Sequence, residues 1–212
     1  MSSVYTAKTK YDERVATRYR NESEGRRARE NAALFEILRD LEPIESLLDA
    51  PCGAGRVAAL LGERGDLDYV AVDIAPSMLQ RARERVSDQA LVPRFLRCDL
   101  EALPFADQAF DVTLCLRLLH HLPEPIRARV VTSLARATQR VLVVTFFHPL
   151  ALHYLERWVK DLFRGERSPR YSHRTRWLID RLEPLGFTLR ESRGTGFLRE
   201  TRYAVFERVR PS

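Results

Sequence analysis

Short apolar runs alternate with stretches whose apolar residues recur every three or four positions. The second kind appears first, in RRARENAALFEILRDL, where Leu34, Ile37, Leu38 and Leu41 fall at helical spacing. SLLDAP then reads as a short buried strand, and GRVAALLGERG as a helix stopped at Gly65. DYVAVDIAP predicts a second strand. Pro76 suits the first turn of the next helix, on which Met78, Leu79, Ala82 and Val86 share one side. PRFLRCDL, FDVTLCL and RVLVVTFF predict three more strands, with a helix from about Pro125 to Ala137 before the last of them. Strands that are apolar throughout and alternate with helices indicate a parallel sheet covered on both faces.

After Pro149 the pattern changes. ALHYLERWVKDLF is amphipathic, RGERSPRYSHR is a basic loop, and TRWLIDRLEPLG predicts a helix ending at Gly186. FTLRES and RYAVFERV predict two closing strands paired as an antiparallel hairpin.

Composition narrows the class. Of 212 residues, 45% are hydrophobic and 30% charged, as in ordinary globular proteins. No apolar run reaches the roughly 18 residues of a membrane span, and the first residues lack the apolar core of a secretory leader. Cys52, Cys98 and Cys115 form no C-x-x-C pair, so neither a disulfide framework nor a metal site is expected, and a reducing cytoplasm is. Residues 151–212 carry 14 Lys and Arg against 8 Asp and Glu, so the whole net charge of +6 lies in that segment.

The chemistry centres on LLDAPCGAGRV. Gly53, Gly55 and Ala58 match the G-x-G-x-x-A pattern of dinucleotide-binding loops. Asp49, at the strand tip before the glycines, changes its meaning. Two unit charges about 4 Å apart, at an effective dielectric near 20, interact by roughly 4 kcal/mol. A diphosphate would be repelled by something of that order, and a cationic ligand favoured. S-adenosylmethionine combines an ammonium, a sulfonium and a carboxylate, and so answers both the aspartate and the bare backbone. Asp73 follows Gly55 by 18 residues at the end of the second strand, where a carboxylate can bridge a ribose diol.

LLDAPCGAGR resembles the first motif of class I S-adenosylmethionine-dependent methyltransferases. The resemblance continues, in the family's order, through VAVDIAPSML, FLRCDLEALPFADQAFDVTLCLRLLHHL and RVLVVTFF. The LPF-x-D-x-x-FD and LHHL pieces are similar to the type 11 or 12 branch. The resemblance implies a Rossmann-like three-layer α/β fold with a seven-stranded, mainly parallel sheet whose last strand is antiparallel. It also implies one methyltransferase domain over residues 1–212, with an N-terminal arm and helix at 1–41 and a substrate cover at 149–175. By the same resemblance Asp49, Gly53 and Gly55 hold the methionine part of the cofactor and Asp73 the ribose hydroxyls, with Ile74 also among the cofactor-binding residues. Met78 lines the adenosine pocket, Asp99 and the Leu100 N–H meet the adenine, and Leu116 lies near the sulfonium.

A base is needed only where the acceptor must first lose a proton. His148 and His121, with His120 beside it, end strands at the expected ligand edge and are the candidates. Tyr154, Trp158, Tyr171 and His173, interleaved with Arg, make the cover suited to an anionic or planar acceptor, or to peripheral contact with an anionic membrane. The expected acceptor is a small or lipid-like molecule. An RNA methyltransferase and a non-catalytic, partner-binding homologue are the alternatives, although no RNA-binding module is recognisable.

Overall fold

The computed structural model describes residues 24–147, 175–194 and 201–209. The N-terminal arm with Tyr11 and Tyr19, His148, and nearly all of the expected cover lie outside the described residues. Seven strands form one sheet: β1 Ser46–Asp49, β2 Asp68–Asp73, β3 Arg94–Arg97, β4 Phe110–Cys115, β5 Thr138–Phe147, β6 Phe187–Gly194 and β7 Thr201–Arg208. Their order is β3-β2-β1-β4-β5-β7-β6. The first five are parallel, and β7 runs antiparallel between β5 and β6. The described helices are α1 Glu24–Asp40, α2 Arg56–Leu60, α3 Pro76–Arg85, α4 Glu124–Ala137 and α5 Thr175–Leu182.

The period of two along each strand sends alternate side chains to opposite faces. Leu47, Tyr69, Ala71, Val112, Leu114, Val141 and Val143 meet Leu34, Ile37 and Leu38 of α1 with Leu41 just past its end, Val57 and Ala58 of α2, and Leu79 of α3. Leu48, Val70, Val72, Leu142 and Val144 meet Val130, Val131 and Leu134 of α4, and Leu178 and Leu182 of α5. Both faces are therefore covered, which is why the central strands show no polar alternation. The predicted apolar sets on α1 and α3 are all buried.

One predicted helix is shorter than its pattern. α2 stops at Leu60, whereas helical spacing runs on to Gly65. The segment after α3 displaces the extra turn: the Leu91 N–H donates to the Gly62 carbonyl at 2.8 Å, and the Gln89 side chain lies where a Cβ at Gly62 would stand. A tertiary contact overrides local propensity here.

At the amino edge of the sheet, Arg140 gathers three segments. Its guanidinium donates to both Asp111 oxygens at 2.6 and 2.9 Å, and to the carbonyls of Leu41 and Pro43 at 2.9 and 2.8 Å. The end of α1 is thereby tied to β4 and β5, on the edge opposite the strand tips that carry the candidate site. Arg140→Ala strands the half-buried Asp111 and two carbonyls, so it is expected to cost about 2–3 kcal/mol. Urea denaturation should show the lower midpoint, while affinity for a ligand at the opposite edge should stay within about twofold, as for well-separated sites.

Candidate functional site

The carboxyl ends of β1 to β4 bring most of the predicted residues to one edge. Asp49 ends β1, Asp73 ends β2, Asp99 follows β3, and Leu116 follows β4. From β1 the chain winds outward through β2 and β3, and from β4 the other way through β5. Such a reversal opens a crevice above the strand ends, the usual ligand position in open α/β sheets.

The loop after β1 is sewn down on both sides. Ala50 N–H donates to the Leu114 carbonyl on β4 at 2.9 Å, and Cys52 N–H to the Val72 carbonyl on β2 at 2.8 Å. Gly53 and Gly55 sit in the left-handed region at φ 53° and 72°, which glycine adopts without steric cost. Their surroundings differ. A Cβ at Gly55 would come within 2.9 Å of Ala82 Cα on α3, whereas one at Gly53 would meet nothing within 4 Å. Gly55 is there for helix packing, and Gly53 leaves open space beside the bend. Neither amide is spare for an anion, whether a phosphate or the cofactor carboxylate expected at the bare backbone: Gly53 N–H donates to Asp73 Oδ2 at 3.0 Å, and Gly55 N–H to the Cys52 carbonyl at 3.1 Å.

Asp49 is only 1% exposed. Its Oδ2 accepts from the Tyr69 hydroxyl at 2.7 Å, and its Oδ1, fully buried, has no hydrogen-bond partner. Burial pushes its carboxyl up to about 7, the Tyr69 hydrogen bond and the Arg56 charge pull it back, and Asp73 pushes it further up. An acid in this state lacks a cation. A buried carboxylate oxygen without a partner favours a positively charged group and opposes a diphosphate.

Asp73 is buried and held by the backbone, its Oδ1 by Ala75 N–H at 2.9 Å and its Oδ2 by Gly53 N–H. Burial raises its carboxyl above the ordinary value, against these hydrogen bonds. Each carboxylate oxygen has two acceptor positions, so a turn-forming role leaves capacity for a ligand hydroxyl. Ile74 follows it, half-buried, and Met78 is buried on α3. Asp99 Oδ1 accepts from Glu101 N–H at 3.1 Å and caps the 3₁₀ turn Leu100–Ala102, in which Leu100 is buried. Leu116 is buried just beyond β4.

His121 lies in the 3₁₀ turn Leu119–His121 past β4, its ring 4.0 Å from that of buried His120. Burial, then the Asp49 and Asp73 charges, drive the Cys52 thiol far above the ordinary range, which keeps it protonated. Among the described residues, no group of three or more His, Cys, Asp or Glu gathers as a metal site.

Three residues at this edge escape the sequence reading. Tyr69 supports Asp49. Arg117, left-handed at φ 60°, donates its N–H to Thr145 Oγ1 at 2.6 Å and holds its guanidinium 3.6 Å from Glu30 Oε2. Glu30, 3% exposed on α1, in turn offers its carbonyl to the Tyr203 hydroxyl at 3.1 Å. The one linear signal for Tyr69 is a phenol inside an otherwise aliphatic strand; Arg117 and Glu30 have none, because their contact joins elements far apart in the chain.

The profile of a family described as "methyltransferase domain" matches residues 47–140. The magnesium-protoporphyrin O-methyltransferase of Rhodobacter capsulatus is 30% identical over 162 residues, which span 76% of this chain and 71% of that protein. A ubiquinone/menaquinone biosynthesis C-methyltransferase of Xanthomonas oryzae pv. oryzae is 38% identical over 82 residues, 37% of this chain but only 32% of that protein. Among solved structures, magnesium protoporphyrin IX methyltransferase from Synechocystis PCC 6803, with bound SAH, superposes with a TM-score of 0.70 at 20% identity, over 87% of this chain and 84% of that one. Its likeness is one of fold, and the seven-stranded sheet expected of that fold is the one this chain forms. The extent and identity of the Rhodobacter match place the chain in the class I S-adenosylmethionine-dependent methyltransferases, as an enzyme that draws its methyl group from that cofactor.

Proposed function

We propose that the chain methylates a small organic acceptor at the carboxyl edge of the sheet, with Asp49 as the anchor for the cofactor's charged end. The carrying observation is the buried Asp49 oxygen without a partner, at the end of the strand that leads into the glycine bend. When bound, S-adenosylmethionine supplies an electrophilic methyl carbon on a good neutral leaving group. Asp49 Oδ1 would take its ammonium, and Asp73, with acceptor positions to spare, would take the ribose diol, with Ile74 next in the chain. Met78, Asp99 and the Leu100 N–H would hold the adenine end, and Leu116 would lie toward the sulfonium.

Displacement at that carbon needs alignment above all, and well-oriented reactants lower a barrier by about 7–11 kcal/mol. The protein's task is to hold two partners in line above β1 and β4 and to keep water out. Where the acceptor is a hydroxyl, His121 is the described group at this edge able to take its proton. The assignment of His148 to the same task rests on its place after β5 in the sequence. The acceptor class follows the relatives, whose names cite a porphyrin and quinone biosynthesis; a ring-bearing molecule of that kind is the first substrate to try.

Three outcomes are expected. In thermal-shift titrations S-adenosylmethionine should stabilise the protein and NAD should not; the reverse would overturn the reading. Asp49→Asn keeps the shape and removes the charge, losing about 1.5–3 kcal/mol, so calorimetry should show affinity roughly ten- to a hundredfold weaker. The third concerns pH. A carboxyl that titrates near about 3.9 in the unfolded chain and about 7 in the folded one binds more protons when folded. Its contribution to stability is complete below about 4 and is lost as pH rises through 7. The melting temperature without cofactor should therefore fall between pH 5 and pH 8, and less steeply in Asp49→Asn.

A further inference from the structure

Tyr69 has no part in the roles above, yet its placement is specific. β1 and β2 pair with Leu47 beside Tyr69 and Asp49 beside Ala71. The residue next to Asp49 is thus one of the smallest side chains, and the tyrosine is one pair behind, on the same face. Strand side chains lean along the strand, and aromatic ones reach the diagonal neighbour. Over Ala71, the phenol crosses to Asp49 and donates to Oδ2 at 2.7 Å. The ring is 1% exposed and packed within the apolar cluster of Leu47, Val57, Ala71 and Leu114. A phenylalanine would fill the same space without bringing a hydroxyl into an apolar core, where one costs free energy unless it is bonded. Asp49 Oδ2 is the partner that justifies it.

We infer that Tyr69 is a positioning residue for cofactor binding: by occupying Oδ2 it fixes the Asp49 carboxylate and leaves Oδ1 as the oxygen that takes the cofactor's cation. The inference rests on the assignment of Asp49 to the cofactor. It makes binding proton-linked. The groups that act on Asp49 are Tyr69, Arg56 of α2 and Asp73 at the end of β2, and its charge in turn reaches Cys52 in the loop and Cys115 on the other face of β4. Arg56 is steered by Asn31 of α1, whose Oδ1 accepts from its Nη1 at 2.6 Å. Both thiols are pushed far up by burial, and the Tyr69 phenol is raised as well, by burial first and then by the Asp49 charge, so all three stay protonated near neutral pH. Asp49 is the member whose ionisation a cation completes, and the phenol is the donor that favours the ionised form.

The test is calorimetry of S-adenosylmethionine binding in two buffers of different ionisation enthalpy, on the wild type, Asp49→Asn and Tyr69→Phe. Relative to Asp49→Asn, the wild type should release roughly half a proton at pH 7, since the carboxyl there is about half ionised before binding. Tyr69→Phe should release more, and should bind about three- to tenfold more weakly at pH 7 with recovery toward wild type at pH 8.5, because loss of a donor to the carboxylate moves its titration up. Incorporation of 3-fluorotyrosine, a more acidic and stronger donor, should act in the opposite direction and covers the case in which Tyr69→Phe does not fold. Proton release and pH profile unchanged from wild type in Tyr69→Phe, or in the fluorotyrosine protein, would overturn the role of Tyr69 and leave Asp49 standing. Equal release by wild type and Asp49→Asn would overturn both.

Discussion

A carboxylate taken out of water at the end of a strand has two ways to lower its free energy: meet positive charge or accept a proton. Asp49 stands between these outcomes, with one oxygen satisfied by a phenol and the other unsatisfied. Much of the surrounding architecture keeps that choice open. The sheet brings β4 beside β1 so that the loop is bound on two sides, α3 packs against its second glycine, and the first glycine keeps a volume clear. A fully hydrated aspartate would discriminate little between ligands. This one, with a buried oxygen that nothing satisfies, discriminates by charge: a cation beside it lowers its free energy and an anion raises it.

The same reasoning separates two uses of a glycine-rich bend. In dinucleotide-binding loops the amides are the reagent, aimed at phosphate oxygens. Here the amides of Gly53 and Gly55 are spent inside the protein, one of them on Asp73. The loop's contribution is shape, and the neighbouring side chain supplies the selectivity.

The chain's one-dimensional pattern carried the elements whose cause is local. Pro76 with Met78, Leu79, Ala82 and Val86 marks a helix because one turn and one apolar side suffice to define it. The tips of β1 and β2 were legible for a similar reason: an aspartate that ends an apolar run is conspicuous. What stayed hidden depends on which segments become neighbours. α2 is cut short by Gln89 and Leu91. Tyr69 acquires its meaning only when the register of β1 against β2 is known. The Glu30–Arg117 and Arg140–Asp111 pairs join positions far apart in the chain, and no spacing rule reports them. The roles assigned to individual site residues drew on family resemblance, and His148 with the expected cover lies beyond the described residues.

The contact between Gly55 and Ala82 carries a consequence for how such an enzyme diverges. A side chain added at this bend would run into the Cα and carbonyl of Ala82, atoms that every residue type carries, so no exchange at position 82 can make room for it. The left-handed backbone of Gly55 adds a second penalty of its own. Two independent obstacles therefore hold this position to glycine, and the bend that leads from Asp49 into α2 keeps its shape while the surface around it is free to vary.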